Sequence, residues 1–83
     1  MTADGFRAMK AREFRRLLYR RLGYQDSGKS KAGSHRRLVA PGRPTITFAF
    51  HDKAEVSPGL VRSILVNQVG LSLDEAREVV RRG

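Results

Sequence analysis

The chain has 83 residues, and its 17 Lys and Arg against 8 Asp and Glu give a formal net charge of +9. This length predicts one small domain, and the clustered positive charge favours a polyanionic partner, with nucleic acid first and an acidic protein second. The absence of cysteine excludes disulfides and Cys-ligated zinc, and no apolar run is long enough for a signal segment or a membrane span. We therefore expect a cytoplasmic protein that does not enter a membrane.

The first predicted element is an amphipathic helix in the stretch MKAREFRRLLYRRLG, which begins at Met9. Its apolar residues have the spacing of one helical stripe, and Gly23 suits the left-handed residue that ends many helices. The stripe consists of Phe14, Leu17, Leu18 and Leu22. Residues 1–8 are predicted to be an N-terminal extension of a domain that spans residues 9–83, and only Phe6 has a side chain suited to anchor the extension.

The other side of this helix is almost wholly basic. Arg12, Arg16 and Arg20 follow one another at intervals of four residues, with Arg15 and Tyr19 beside them. Residues at this spacing share one face of a helix, so the three arginines form a row. The row suits contacts with nucleic-acid phosphates, and the alternative is the solvated surface of a merely basic protein.

A short strand and then a hairpin are predicted next. Residues 24–33 are polar and are expected to form a weak strand that leads into a loop. In the stretch SHRRLVA, Leu38 is the only large apolar residue of the even-numbered set. We therefore expect Leu38 opposite Ile46 on the buried face, across a three-residue loop at 41–43 with positive φ at Gly42.

The second strand of the hairpin, Thr45 to Phe50, alternates between large apolar and smaller residues. Ile46, Phe48 and Phe50 are expected to face the core. The same register sets His35 opposite Ala49, on the sheet face away from the core.

The C-terminal part predicts two helices. Ser57 followed by Pro58 begins the first, Gly70 ends it, and Ser72 with Glu75 forms a capping box for the second. The apolar sides are expected to consist of Leu60, Val61, Ile64, Leu65 and Val69 in the first helix and of Leu73, Ala76, Val79 and Val80 in the second. The whole order of elements indicates an α+β fold with one antiparallel sheet and its helices on one face.

Residues 23–30, GYQDSGKS, match the phosphate-binding pattern G-x-x-x-x-G-K-S. That loop functions between a buried strand and a following helix, where backbone N–H groups converge on the phosphates. Here a basic helix comes before it and a strand comes after it, so we interpret the match as coincidence and predict no nucleotide cofactor. Lys29 and Lys31 belong either to a solvated linker or to an arm that contacts phosphates.

The two histidines are the candidate groups for chemistry. A lone histidine such as His35 is more often structural or incidental than catalytic. Because side chains alternate between the two faces of a strand, His51 is predicted to share the face of His35 and to lie diagonally across from it. A strand-end cap or hinge is the simpler interpretation of His51. The histidines and the scattered acidic residues show no metal-ligand spacing, so no metal site is predicted.

Several stretches together resemble the HicA (YcfA-like) mRNA interferase toxins of bacterial toxin–antitoxin pairs. They are MKAREFRRLLYRRLGY, the GSH that opens a strand, FAFH, and SPGLVRSILVNQVGLSLDEA, and they cover about residues 9–80. The resemblance implies an α-β-β-β-α fold similar to the double-stranded-RNA-binding domain, with an additional C-terminal helix. The order of elements read from the residues agrees with that fold.

The resemblance also implies an endoribonuclease toxin that needs no metal, with the histidine of the GSH element, His35, as the catalytic residue. A HicB-like antitoxin is the implied protein partner, and mRNA is the implied substrate. Cleavage without a metal uses the ribose 2′-OH as the nucleophile, and an imidazole titrates near neutrality as the reaction requires. The second proton transfer is open between His51, water and the substrate itself.

Phosphate contacts are expected from the basic residues around this site. They are Lys29, Lys31, Arg36 and Arg37 together with the helix row Arg12, Arg16 and Arg20. The chain departs from the family in its longer polar segment at 23–33, its APGRP turn and its extra residues 1–8. These departures affect the register of the first strand and the path of the RNA. The alternative function is a non-catalytic RNA-binding module that uses the same basic face.

Overall fold

The computed structural model describes residues 5–29 and 36–83, and of residues 28 and 29 only the backbone. The described residues form five short strands, three α-helices and one π-helical turn. The elements are β1 (Met9–Lys10), α1 (Ala11–Leu22), β2 (Gln25–Lys29), β3 (Arg36–Ala40), β4 (Arg43–Phe48), β5 (Glu55–Val56), α2 (Pro58–Ser63), a π-helical turn (Ile64–Gln68) and α3 (Leu73–Arg82). The predicted α+β fold, similar to the double-stranded-RNA-binding domain, is confirmed.

The main sheet is antiparallel with the strand order β2-β3-β4. Leu38 lies opposite Ile46, as the position of its apolar side chain predicts. The predicted three-residue loop is wrong, because Ala40 pairs with Arg43 and only two residues remain in the turn. An irregularity between Leu38 and Ala40 absorbs the difference in register, and Gly42 adopts the predicted positive φ of 72°.

One face of this sheet is buried and the other is open. Leu38, Ile46 and Phe48 are fully buried, whereas Arg37 and Thr47 on the opposite face are exposed. The predicted alternation is therefore confirmed for the paired part of the hairpin. The strand itself begins and ends earlier than expected, because β4 stops at Phe48. Beyond it Phe50 is half-buried and packs edge-on against Phe48, with 5.2 Å between ring centroids.

Helix α1 covers the buried face of the sheet. Its predicted stripe is buried, and the ring centroid of Phe14 lies 6.0 Å from that of Phe48. Gly23 ends the helix with φ 76°, as predicted. The helix begins at Ala11 rather than Met9, because Met9 and the next residue pair with a distant strand.

That distant strand is β5, which forms a second, two-stranded sheet with β1. Met9 lies opposite Val56 and Lys10 opposite Glu55. Phe6 is fully buried in the same core as Met9 and Val56. The predicted anchoring side chain is therefore in place, but a two-residue strand pair was not predicted.

The predicted caps of the C-terminal helices are confirmed. The Leu60 N–H donates to the Ser57 hydroxyl, and Ser72 and Glu75 form a reciprocal capping box. The prediction that Leu60 is buried is wrong, since it remains 39% exposed. Val61, Ile64 and Leu65 occupy the buried side of the short helix, and Leu60 lies roughly a quarter turn away from the centre of that stripe.

The chain leaves α2 through a π-helical turn that was not predicted. The Val69 N–H donates to the Ile64 carbonyl over 2.9 Å, and the Leu71 N–H donates to the Leu65 carbonyl over 3.1 Å. Gly70 has a φ of 89°, which agrees with the predicted glycine at this helix end. In α3, Ala76 and Val80 are buried as expected, whereas two other predicted core residues are only half-buried: Leu73 and Val79.

Candidate nucleic-acid interface

The outer side of α1 presents the predicted row of arginines. Arg12, Arg16 and Arg20 are all exposed. Within residues 5–29 and 36–83, none of the three has a carboxylate within ion-pair distance or a side-chain hydrogen bond. Their guanidinium groups are therefore free to bind an external anion.

Arg15, which the sequence places beside this row, has a different role. Its side chain is only 14% exposed, and its guanidinium lies 2.7 Å from a carboxylate oxygen of Asp52. The hydrogen bond from Arg15 lowers the pKa of Asp52. A desolvated arginine that is paired in this way connects α1 to the segment after β4 and is not free for RNA.

Arg36, the first residue of β3, is also paired. Its guanidinium lies 2.7 Å from a carboxylate oxygen of Asp26 in β2, and its side chain is 33% exposed. The hydrogen bond that Arg36 donates to Asp26 raises the pKa of Arg36, and the charge of Asp52 adds to this effect. The start of β3 therefore lies close to the segment that carries Asp52.

Tyr19 lies among these two ion pairs. Its hydroxyl interacts electrostatically with both arginines and both aspartates, and its partial burial raises its pKa. We call Arg15, Tyr19, Asp26, Arg36 and Asp52 the Tyr19 cluster. It joins α1, β2, the start of β3 and the segment after β4.

Sequence reasoning did not find the two acidic members of this cluster. A signal was present, because Asp26 and Asp52 are the only acidic residues between Glu13 and Glu55. An isolated acid in so basic a stretch indicates an ion pair. Which arginine it contacts depends on the tertiary fold.

Arg37 lies on the open face of the sheet, opposite Thr47 in β4. Because α1 covers the other face, Arg37 and the α1 row lie on opposite sides of the sheet. The structure therefore brings Arg36, not Arg37, to the side of α1. The predicted set of phosphate contacts is divided between two surfaces.

His51 is exposed and lies three residues beyond the end of β4. The parity argument that placed it on the open sheet face does not apply, because the segment is no longer a strand. His35, Lys31 and the side chain of Lys29 lie outside the described residues. Their predicted roles therefore remain predictions.

A groove of about 440 Å³ lies elsewhere on the molecule, between the end of α1 and α3. Its lining mixes both signs of charge, which does not suit a polyanion. The lining residues are Arg21, Leu22, Arg43, Leu71, Asp74, Glu75, Glu78 and Val79.

Within residues 5–29 and 36–83, no group of three or more His, Cys, Asp or Glu side chains is arranged to hold a metal ion. In this part of the chain, no helix combines the length and the apolar character that crossing a membrane requires.

Comparison with protein families gives one match. The sequence model of the HicA toxin of bacterial toxin–antitoxin systems matches residues 11–71. No curated protein and no solved structure matches the chain. The matched range includes all of α1, the main sheet, the Tyr19 cluster and α2.

Proposed function

The chain belongs to the HicA family of toxins from bacterial toxin–antitoxin systems, and we propose that it is a metal-independent endoribonuclease. In this proposal it is the toxin of a type II pair in the cytoplasm, and it inhibits translation by cutting mRNA. Membership of this family means that the chain is a toxin with a cognate antitoxin. The nuclease activity is the part that we propose.

The observation that carries the RNA part of the proposal is the unpaired arginine row of α1. Arg12, Arg16 and Arg20 are exposed and form no ion pair within the described part of the chain. Each would release counterions on contact with a phosphate, which is the main source of sequence-independent affinity for nucleic acid. Arg37, Lys29 and Lys31 would add contacts near the GSH element.

The proposed chemistry is attack of a ribose 2′-OH on the adjacent phosphorus. The O2′–P bond forms and the P–O5′ bond breaks, which leaves a 2′,3′-cyclic phosphate and a 5′-OH. One group takes the 2′-OH proton and another supplies a proton to the leaving oxygen. We assign one of these transfers to His35, because an imidazole titrates near neutral pH, and nearby cations would stabilise the charge on the phosphate.

A HicB-like antitoxin is the proposed protein partner. A protein of acidic surface would be attracted by the net charge of +9. Covering the His35 region and the phosphate contacts together would block both binding and cleavage. We therefore expect the complex to hide His35 from RNA.

A non-catalytic RNA-binding module is the second candidate, because the α1 row alone would serve a binder equally well. The two candidates differ in their need for an imidazole. A binder requires arginines and lysines but no histidine, so the test is a histidine substitution.

The experiment compares the wild-type chain with His35→Ala on a mixed-sequence single-stranded RNA in the presence of EDTA. We expect the wild type to cleave and the variant to lose roughly two to four orders of magnitude in rate, because a proton-transfer group is missing. RNA binding should persist, since phosphates are held by other residues. Unfolding free energy should change by less than about 0.5 kcal/mol, as for a surface substitution.

Thr45→Ala, an exposed substitution on the open sheet face, is the matched control and should cleave normally. A folded His35→Ala chain that cleaves as fast as the wild type would contradict the enzyme proposal and favour the binding module. Loss of wild-type cleavage in EDTA would contradict metal independence.

A further inference from the structure

The segment that carries His51 is fixed to the start of α1 by its backbone. The Ala11 N–H donates to the Ala54 carbonyl over 2.8 Å, and the Arg12 N–H donates to the Asp52 carbonyl over 3.2 Å. Immediately afterwards β5 pairs with β1. The first N–H groups of a helix have no acceptor within that helix. These two bonds provide acceptors for the N–H groups of Ala11 and Arg12.

Side chains add to this attachment. The Asp52 carboxylate pairs with Arg15 over 2.7 Å, and the Lys10 ammonium donates to the Lys53 carbonyl over 3.4 Å. Residues 51–54 are therefore held against residues 10–15 at several points. The backbone of His51 has a defined place in the fold.

The imidazole of His51, in contrast, has no structural contact with the described part of the chain. It is exposed, and within the described residues it makes no hydrogen bond, ion pair or ring contact. The local turn is closed by the backbone of His51, whose carbonyl accepts from the Ala54 N–H over 2.9 Å, and any residue would supply that bond. The interpretation of His51 as a strand-end cap therefore has no support from its side chain.

Exposed basic residues adjoin the segment that carries His51. Exposed Arg12 lies in the adjoining first turn of α1, and Lys53 and Lys10 are exposed on the same attachment. Asp52, the one acidic neighbour in the segment, is occupied by Arg15. Asp52 also interacts with the charge of Arg36, so the segment adjoins the start of β3 as well as the arginine row.

We propose that His51 is the second proton-transfer group of RNA cleavage and that its imidazole contacts the reacting phosphodiester. The proposal rests on the proposed endoribonuclease function and names a residue for the transfer that His35 does not perform. One imidazole accepts the 2′-OH proton as the O2′–P bond forms. The other, protonated, gives its proton to the O5′ atom as the P–O5′ bond breaks, so the two steps balance.

The experiment measures single-turnover cleavage of a mixed-sequence single-stranded RNA against pH for the wild type, His51→Ala, His51→Gln and Gln68→Ala. We expect the wild-type rate to rise and fall with pH on two titrating limbs. The cleavage rate of both His51 variants should fall by roughly two to four orders of magnitude at the optimum pH. Their pH profile should keep only one of the two limbs. Their affinity for RNA should stay within about threefold of the wild type, because arginines hold the phosphates.

Gln68→Ala is the matched control, since it removes an exposed polar side chain in the π-helical turn, outside the proposed site. It should keep both limbs. Cleavage by a folded His51→Gln chain within about threefold of the wild-type rate, or with both limbs intact, would overturn the role of His51. If His35→Ala is inactive while His51→Gln is active, the role of His51 is wrong but the proposed function stands. If the wild type does not cleave RNA, the proposed function is wrong as well.

Discussion

Helices α1 and α3 are both rich in arginine, but their arginines are in different states. In α1 five arginines accompany one glutamate, and in α3 three arginines accompany three acidic residues. The arginines of α3 pair along their own helix, Arg77 with Asp74 and both Arg81 and Arg82 with Glu78. The three arginines of the α1 row form no ion pair with any residue that the structure describes.

Under the proposed function, this difference means that arginine content alone would not identify the RNA-binding surface. An ion pair within a helix neutralises the cation before a phosphate arrives, and releasing it costs part of the binding free energy. The unpaired row of α1 has no such cost. We therefore propose that α1 binds RNA and that the charges of α3 support solubility and helix stability.

The two helices also begin differently. Helix α3 closes its own first turn with the Ser72 and Glu75 capping box, whereas α1 has no side-chain cap and uses the carbonyls of Asp52 and Ala54. The start of α3 is therefore determined by neighbouring residues in the sequence, whereas the start of α1 depends on bonds to a distant segment. Substitutions in the two helices should therefore have different effects.

The largest effect is expected for Phe14→Ala in the buried side of α1. Phe14 is fully buried against Phe48, so its removal should cost about 3–5 kcal/mol of unfolding free energy. Val79→Ala in α3 is the control and should cost about 1 kcal/mol, because Val79 is only half-buried. Urea denaturation measures both, and equal costs would contradict the different packing of the two helices.

The next effect concerns RNA affinity. Replacing Arg12, Arg16 and Arg20 together by glutamine should weaken binding roughly 100-fold at low salt, as expected for three lost phosphate contacts. The loss should be similar for RNAs of unrelated sequence, because phosphate contacts carry no sequence information. Fluorescence anisotropy with labelled RNA measures the affinities.

The matched variant carries the same loss of charge in α3, with Arg77, Arg81 and Arg82 replaced by glutamine. Its affinity should fall by less than about fivefold, through the long-range field alone. Equal losses in the two triple variants would mean that net charge, not the α1 surface, determines binding.

A smaller effect is expected for Ser72→Ala. It removes the hydroxyl that accepts the Glu75 N–H over 3.1 Å, and losing such an N-cap costs about 1 kcal/mol. RNA affinity should not change, because α3 is not in the proposed interface. Lys10→Ala at the start of α1 should cost less, since no side-chain cap exists there. A larger cost at Lys10 would contradict the tertiary capping of α1.

The smallest effect concerns pH. Hydrogen bonds from Arg81 and Arg82 lower the pKa of Glu78, so the folded state favours the ionised carboxyl. Its stabilisation is present above the unfolded-state pKa and is lost as pH falls through the folded-state value. Urea denaturation should therefore show Glu78→Gln less stable than the wild type at pH 7, with the difference vanishing in acid. A difference that did not change with pH would contradict this.

The sequence predicted the elements whose chemistry is local. Ser57 before a proline, the Ser72 capping box and the glycine helix ends each depend on a few neighbouring residues, and all are found. The pairing of Leu38 with Ile46 followed because a shift by one residue would expose Leu38. The predicted turn length was wrong because β4 has one extra residue between Arg43 and Ile46, which changes the register without changing which side chains are buried.

The features that sequence reasoning missed depend on distant contacts. Two-residue strands such as β1 and β5 show no alternation to detect, and a π-helical turn differs from an α-helix by one hydrogen bond in its register. Arg15 and Arg16 are equivalent neighbours in the sequence, and only the position of Asp52 separates the paired one from the free one. The arginine row could be predicted, whereas the Tyr19 cluster could not. The role of His35 stays a prediction.

The most direct test of the central claim, that the unpaired row of α1 binds RNA phosphates, is the salt dependence of RNA affinity in the two triple variants. The slope of log affinity against log salt should become shallower by about 2 to 3 when Arg12, Arg16 and Arg20 are replaced, because each lost contact removes about 0.7 to 0.9. Replacing the three α3 arginines should leave the slope unchanged. An unchanged slope in the α1 variant would show that its arginines do not contact phosphates and would contradict the account.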